Sequence, residues 1–317
     1  MKGKTVLPAA VMLAAALMCS CSSEDNEQDI VVISAADVTS SVSQAVQDNV
    51  VNINGADYTL DTEEIFLTDV TPSDMENLKK LENLKYISVE TENTANLSGF
   101  SELKNITVLS ISGSAAGLDF IDGMDSLEEL YLAFADPGMF TAVPENNTVT
   151  VLQIDYSEIP DMSCLGAFKA LRSLGMVETS YSGIEEMPEM PSVETLDIEL
   201  DSSSAADFGL LKKMPGLKSF TFSNFYYDNY PVNTGDITSC TQLEELYIYS
   251  DLDDLEFCRE LKKLRIFSLY GDESYDITPL CECEKAEEIY LSCGCSEDDL
   301  ESLKYALPGC EIVTDTE

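Results

Sequence analysis

The sequence contains no histidine and no tryptophan, and its 59 Asp and Glu residues far outnumber its 17 Lys and Arg residues. Without histidine the chain cannot build a Ser-His-Asp or Cys-His nucleophile, a His general base or a His-ligated metal site. A formal net charge of −42 at pH 7 opposes binding to nucleic acid and to anionic membrane surfaces. We therefore expect no nucleic-acid partner and none of the usual catalytic machinery.

A long hydrophobic segment is also missing. The longest apolar stretch, residues 6–18, is shorter than the roughly 20 residues that span a bilayer. It follows two lysines and has the length of a secretory signal core. Apolar residues nevertheless make up 44% of the 317 residues, which is enough for a packed core and too many for a disordered acidic tail.

A six-residue frame, apolar-x-x-apolar-x-apolar, recurs along most of the chain; examples are LEELYL at 127–132 and LEELYI at 243–248. The frame starts at residues 84, 106, 127, 149, 171, 193, 217, 243, 264 and 286, and one more unit at 62 lacks the leading aliphatic residue. Its fourth and sixth positions are apolar in every unit, whereas the fifth is mixed. This alternation predicts a half-buried strand in each unit. Such short strands must stack on their neighbours to bury their apolar side.

The repeats resemble the internalin-like, 22-residue class of leucine-rich repeat proteins. The segments ITPL at 277–280, DIT at 236–238 and IDGM at 121–124 are similar to the turn of that class, and the resemblance covers about 62–313. It implies an α/β solenoid, a horseshoe with a parallel concave β-sheet of about 11 short strands. One column departs from the family, which often has Asn or Cys eight residues after the first Leu. Here it reads Glu92, Ser114, Ala135, Ser157, Thr179, Asp201, Phe225, Asp251, Asp272 and Gly294.

The N-terminus resembles that of bacterial lipoproteins, with Ser20 before Cys21 and a polar, acidic stretch after it. The resemblance implies that Cys21 is lipidated; Cys19, or cleavage after Ala16 with free secretion, are the alternatives. We expect a lipoprotein-type signal peptide at 1–20, a polar tether at 21–29, an N-terminal cap at 30–61, repeats at 62–299 and a C-terminal cap at 300–317. The N-terminal cap would contain a helix at 36–49 and a turn at Asn54-Gly55. The C-terminal cap would contain a short helix around 301–306 and a strand near 310–313.

Ten cysteines invite a metal hypothesis, but their paired spacing is too tight for most zinc sites. The frame places three of them at apolar core positions: Cys240, Cys258 and Cys283. Free core thiols and a disulfide brace of the C-terminal cap remain the main alternatives. The brace would use Cys281, Cys293, Cys295 and Cys310. Acidic clusters at 251–254 and 296–299 match no Ca²⁺ loop. We expect no cofactor, no metal and no enzymatic activity.

The resemblance implies that the second, third, fifth and seventh frame positions face the concave surface. The tyrosines that we predict to line this surface are Tyr131, Tyr247, Tyr249, Tyr270 and Tyr290. The predicted acidic residues among them are Glu129, Asp155, Asp197, Glu199, Glu245 and Glu288. An insertion in the repeat that starts at 217 adds an aromatic loop with Phe225, Tyr226, Tyr227 and Tyr230. Tyr suits binding surfaces, although aromatic residues are also common in strands for packing alone.

These observations predict a lipid-anchored, exported recognition protein, a surface interaction or adhesion module that uses its concave face. The partner would be a protein or glycan, basic or neutral, and the membrane would be reached through the N-terminal lipid only. The alternative is an inward-facing scaffold of the cell envelope. A metal-binding or hydrolytic protein is a weaker third interpretation.

Overall fold

Each repeat contributes one short strand to a single parallel sheet, because its two inward apolar side chains can be buried only against neighbouring repeats. The computed structural model describes residues 49–92, 94–200, 207–224 and 234–314, which lie in one compact unit, Asn49–Glu317. Twelve strands pair side by side in this sheet, in the order in which they follow one another along the chain. This confirms the predicted leucine-rich repeat solenoid.

The strands of this sheet are β3 (Glu64–Thr68), β4 (Tyr86–Glu90), β5 (Val108–Ser112), β6 (Glu129–Ala133), β7 (Val151–Asp155), β9 (Ser173–Val177), β11 (Thr195–Glu199), β12 (Ser219–Ser223), β13 (Glu245–Tyr249), β14 (Ile266–Ser274), β15 (Glu288–Gly294) and β16 (Glu311–Thr314). Two small sheets lie outside it. They are the antiparallel pair β1 (Val50–Ile53) and β2 (Ala56–Thr59), and the parallel pair β8 (Glu158–Ile159) and β10 (Ser180–Tyr181).

The core forms from the fourth and sixth frame positions. The register places equivalent positions opposite each other, so that Leu174 pairs with Leu152 on one side and Leu196 on the other. All of these side chains are at most 3% exposed. Full burial of an aliphatic side chain contributes about 1.5–3 kcal/mol, so each repeat is stabilised mainly by its neighbours. Among the bulkier members, Phe222 packs edge-on against Phe208, with ring centroids 4.9 Å apart.

Tight 3-10 helices return the chain from the end of one strand to the start of the next. They lie at Ser98–Glu102, Asp119–Gly123, Pro137–Phe140, Met162–Ala167, Ile184–Glu186, Phe208–Lys213, Thr234–Ser239, Glu256–Glu260 and Thr278–Glu282. The cysteines predicted at apolar core positions are buried near these turns: Cys240 and Cys283 are each 1% exposed, and Cys258 is 0% exposed. No helix within the described ranges is long and apolar enough to cross a membrane.

The sequence did not predict α1 (Pro72–Leu78) in the first repeat. A capping box starts this helix: the Thr71 side chain accepts a hydrogen bond from the Asp74 amide, and the Asp74 carboxylate accepts one from the Thr71 amide. The same carboxylate accepts the amide N–H of Asn54 at 2.7 Å. It thereby joins α1 to the hairpin turn at Asn54-Gly55, whose two positive φ angles, 51° and 79°, are those of a type I′ turn.

At the other end, α2 (Glu297–Ala306) and β16 correspond to the elements predicted there. The helix begins earlier than expected because Ser296 caps it, with its Oγ accepting the Asp299 amide at 3.1 Å. The acidic cluster at 296–299 is therefore the favourable first turn of a helix. The cluster at 251–254 is also structural, since the Asp251 carboxylate accepts the amides of Asp272 and Glu273.

In the column where the family often has Asn, hydroxyl side chains of this chain form hydrogen bonds with backbone groups of neighbouring repeats. Thr179, fully buried, donates its hydroxyl to the Ile154 carbonyl at 2.8 Å and accepts the Ser157 amide at 3.3 Å. The Ser157 hydroxyl in turn accepts the Ala135 amide at 2.9 Å. Backbone groups that would otherwise be buried without partners are satisfied in this way.

Candidate functional site

The concave face, defined here as the third, fifth and seventh frame positions, is acidic. The strands of the large sheet contain no Lys or Arg. Acidic residues occur on both halves of the face. They are Glu64, Glu90, Glu129, Asp155, Asp197, Glu199, Glu245, Glu288 and, on the last strand, Glu311. A surface with one sign of charge attracts ligands of the opposite sign and accelerates their association.

Basic side chains lie instead just before the strands, at the second frame position. There they alternate with glutamates in a row of ion pairs. The pairs are Arg172–Glu194 (3.5 Å), Lys218–Glu194 (3.1 Å), Arg265–Glu244 (3.8 Å) and Arg265–Glu287 (2.8 Å). The family resemblance implies that this position also faces the concave surface; in the structure its charges largely compensate each other along the N-terminal ends of the strands. Such exposed pairs contribute about 0–1 kcal/mol each.

Three of the predicted tyrosines meet at one place. Tyr249 and Tyr270 are direct partners on β13 and β14, and Tyr290 projects from the next strand, β15. Together with Ser268, Ser292 and Val313 they line a shallow cavity of about 150 Å³. The three side chains are 36%, 51% and 43% exposed. Because they stand on adjacent strands about 4.8 Å apart, they form one continuous surface, here called the tyrosine patch (Tyr249, Tyr270 and Tyr290).

Tyr247 lies on the same face but does not line the cavity. It is half-buried in β13, and Ser268 separates it from Tyr290 in its row. Burial raises the pKa of Tyr247, and the charge of Glu245 adds to the increase. Its phenol therefore remains protonated at neutral pH and borders the patch as a neutral hydrogen-bonding group.

Tyr131 does not belong to the patch. It stands on β6, five strand spacings from β13, which is roughly 24 Å at about 4.8 Å per strand. Its hydroxyl donates to a Glu129 carboxylate oxygen at 2.7 Å. Burial and this hydrogen bond raise the pKa of Tyr131 to about 12. Tyr131 and Glu129 therefore form a local pair.

Three of the predicted acids gather in the middle of the face, here called the carboxylate cluster (Asp155, Asp197 and Glu199). Burial raises the pKa of each of them. The charge of Asp155 contributes further for Asp197. Gln153 donates to Asp155 at 2.6 Å, and its side chain lies over Gly175, where an added Cβ would collide with it.

The remaining predicted site residues have different outcomes. Glu245 accepts the Ser219 hydroxyl at 3.3 Å, and the charges of Glu245 and Glu288 both act on Tyr247, so these two glutamates lie beside Tyr247 and do not line the cavity of the tyrosine patch. Cys21 and the inserted aromatics Phe225, Tyr226, Tyr227 and Tyr230 lie outside the described residues. The insertion begins beside the patch, however, because the amide of Asn224 donates to the Tyr249 carbonyl at 2.9 Å.

The eight cysteines of the described part are free thiols, so the disulfide brace is not formed in this structure. Cys240, Cys258 and Cys283 are buried, as their frame positions predicted. Burial raises the pKa of the Cys283 thiol to about 12. Within the described ranges, no group of three or more Cys, Asp or Glu side chains is placed to hold a metal ion.

Sequence reasoning missed an aromatic pair at the end of β6 and β7. The rings of Phe134 and Tyr156 stack with centroids 5.0 Å apart and planes within 12°, yet the side chains are 59% and 48% exposed. Both residues have left-handed backbones, with φ of 54° and 49°. This conformation costs about 1–3 kcal/mol for a residue other than glycine, against about 0.5–1.5 kcal/mol from the stacked pair. Two aromatic residues at the eighth frame position of consecutive repeats were the available signal.

One solved structure supports the leucine-rich repeat fold. No protein-family model and no curated protein sequence matches the chain. Among solved structures, an internalin (inlF) from Listeria monocytogenes is similar over 88% of each chain, with 16% identity and a TM-score of 0.52. Internalin C2 from the same species aligns over 68% of this chain and 83% of its own (15% identity, TM-score 0.40). TLR13, in a complex with ssRNA13, aligns over 72% of this chain and 40% of its own (12% identity, TM-score 0.49).

Proposed function

We propose that the chain is an exported, lipid-anchored recognition protein that binds a basic protein partner with its concave face and catalyses no reaction. The observation that carries the proposal is the composition of that face: carboxylates on both halves, no Lys or Arg in the strands, and a tyrosine patch on β13, β14 and β15. The leucine-rich repeat fold supports the proposal by supplying a preformed surface.

Binding would follow from charge and from tyrosine chemistry together. The acidic face steers a basic partner and makes association slower at high salt. The tyrosine patch supplies contact area with a polar tip and few side-chain torsions to order. Because every patch residue projects from a strand of the sheet, little conformational entropy is lost on binding.

Selection from a random dodecapeptide library on the purified full-length chain tests the proposal. We expect enriched peptides with net positive charge, and we expect Tyr270→Ala with Tyr290→Ala to weaken their binding at least tenfold in 0.15 M NaCl. The matched control is Tyr305→Ala, since Tyr305 is 90% exposed on α2, away from the patch. Neutral selected peptides, or equal loss in the control, would contradict the proposal. If the selection enriches no peptide and the protein binds to a glycan array, the partner is a glycan and not a protein.

The lipid anchor rests on the sequence around Cys21. We expect Cys21→Ser to prevent incorporation of radiolabelled palmitate and to move the protein from the detergent phase to the aqueous phase on phase separation. Cys19→Ser is the control and should change neither. Loss of label in the Cys19→Ser variant alone would identify Cys19 as the lipidated residue. Absence of label from every chain, wild type included, would indicate free secretion.

Exposure at the cell surface is tested separately from binding. Brief protease treatment of intact cells should release peptides from residues 217–317 without lysis. Their appearance only after lysis, with the protein in the membrane fraction, would support the inward-facing envelope scaffold instead.

A further inference from the structure

The stacked pair of Phe134 and Tyr156 is part of a row at the end of the strands. The backbone ladder continues through this row: the Gly113 amide donates to the Ala133 carbonyl, and the Phe134 amide donates to the Asp155 carbonyl. The Tyr156 amide donates to Val177 in the same manner. The row therefore reads Gly113, Phe134, Tyr156 along three adjacent strands. The rings stack because the strand spacing brings them to the separation of aromatic contact.

Gly113 leaves one face of this stack open. Tyr156 covers the face of Phe134 on the β7 side, whereas the β5 side ends at a residue without a side chain. Gly113 cannot be replaced easily, because its φ is 107° and an added Cβ would collide with the Thr91 backbone and hydroxyl. No side chain can therefore stand at position 113 beside the ring of Phe134, which is 59% exposed. A planar group about one ring spacing from Phe134 would continue the stack.

The negative charge around the stack favours a planar ligand that is positively charged. The row continues beyond Tyr156 to Glu178, whose backbone is also left-handed (φ 45°), and Asp155 precedes Tyr156 on the adjoining face. The chain carries no Lys or Arg between residues 105 and 168, which includes the whole of β5, β6 and β7. A guanidinium is planar and cationic, so it stacks on an aromatic face and is favoured where the surrounding charges are negative.

We propose that Phe134 and Tyr156 form an arginine-binding platform, in which the guanidinium of an arginine in a basic protein stacks on the open face of Phe134 above Gly113. The platform is separate from the tyrosine patch, since four strand spacings lie between β7 and β13. It rests on the proposed function in one respect, namely that the partner is a basic protein.

The absence of tryptophan from the chain makes the test direct. Phe134→Trp keeps a stacking ring and introduces a single fluorescent reporter at the platform. The probes are three nonapeptides with a Gly-Ser background and three residues of arginine, lysine or citrulline. We expect the arginine peptide to change the tryptophan emission and to bind about 3–10-fold more tightly than the lysine peptide of equal charge. The citrulline peptide, which is planar but uncharged, should bind more weakly than both.

Phe134→Asn with Tyr156→Asn removes the rings while supplying a residue that tolerates the left-handed backbone. In this full-length variant, checked for native circular dichroism, arginine and lysine peptides should bind equally. The patch variant Tyr270→Ala with Tyr290→Ala should retain the arginine preference, which separates this proposal from the proposed function. Equal affinity for arginine and lysine in the Phe134→Trp protein would overturn the platform. An emission change with cellohexaose and none with the peptides would also overturn it, in favour of a sugar.

Discussion

The buried hydroxyl of Thr179 provides a sharp test of how the solenoid replaces the usual asparagine ladder. Thr179→Val keeps the shape of the side chain but removes the hydroxyl that donates to Ile154 and accepts from Ser157. The Ser157 amide and the Ile154 carbonyl then lose a partner within a site that is 0% exposed. Leaving such groups unpaired costs about 1–3 kcal/mol, and valine offers no compensating volume.

Thr179→Ser is the matched control because it keeps the hydroxyl and loses only a methyl group, worth about 0.8 kcal/mol. Urea unfolding followed by circular dichroism should give a lower midpoint for the valine variant than for the serine variant, with unchanged slope. The slope matters because a repeat protein can lose cooperativity, and a changed slope would indicate local unfolding. If the valine variant is as stable as the wild type, the hydrogen bonds of the Thr179 hydroxyl do not contribute to the stability of the repeats.

Three further predictions concern backbone, charge and thiols. Gly113→Ala should destabilise the protein by about 2 kcal/mol or more, since it combines a left-handed backbone with a collision, whereas Gly138→Ala, with nothing near its Cβ, should be nearly neutral in thermal unfolding. Burial and a neighbouring carboxylate raise the pKa of Asp197, so the folded state holds its proton more tightly than the unfolded state and stability falls as pH rises through that pKa. Asp197→Asn should therefore raise the melting temperature at pH 7 and flatten its pH dependence; an unchanged profile would contradict the assignment. Iodoacetamide should label the half-buried Cys295 before the fully buried Cys258, whose pKa burial raises strongly, and mass spectrometry that finds the reverse order would refute this.

The fold was predictable because each repeat carries its own signal. Alternating apolar residues define the strand, and a constant period near 22 forces neighbouring strands into register, so that Leu152, Leu174 and Leu196 align without further information. The α1 helix escaped prediction because it is short, and its start depends on the reciprocal hydrogen bonds of Thr71 and Asp74 rather than on a hydrophobic pattern.

The candidate site was predictable only in part. Residue type and frame position placed Tyr249, Tyr270 and Tyr290 on one surface. Tyr131 has the same residue type and also faces this surface, but five strand spacings separate its strand, β6, from β13. The aromatic stack was missed for a different reason. At the eighth frame position the backbone turns left-handed, so the direction of the Phe134 side chain does not follow from strand alternation.

Hydroxyl-radical footprinting in the presence of a basic peptide selected on the protein tests the central claim most directly. If the concave face is the recognition surface, Tyr249, Tyr270 and Tyr290 should lose reactivity on binding while Tyr305 on α2 keeps it. Unchanged reactivity of the tyrosine patch, with protection confined to the 3-10 helices on the opposite side of the solenoid, would contradict the account.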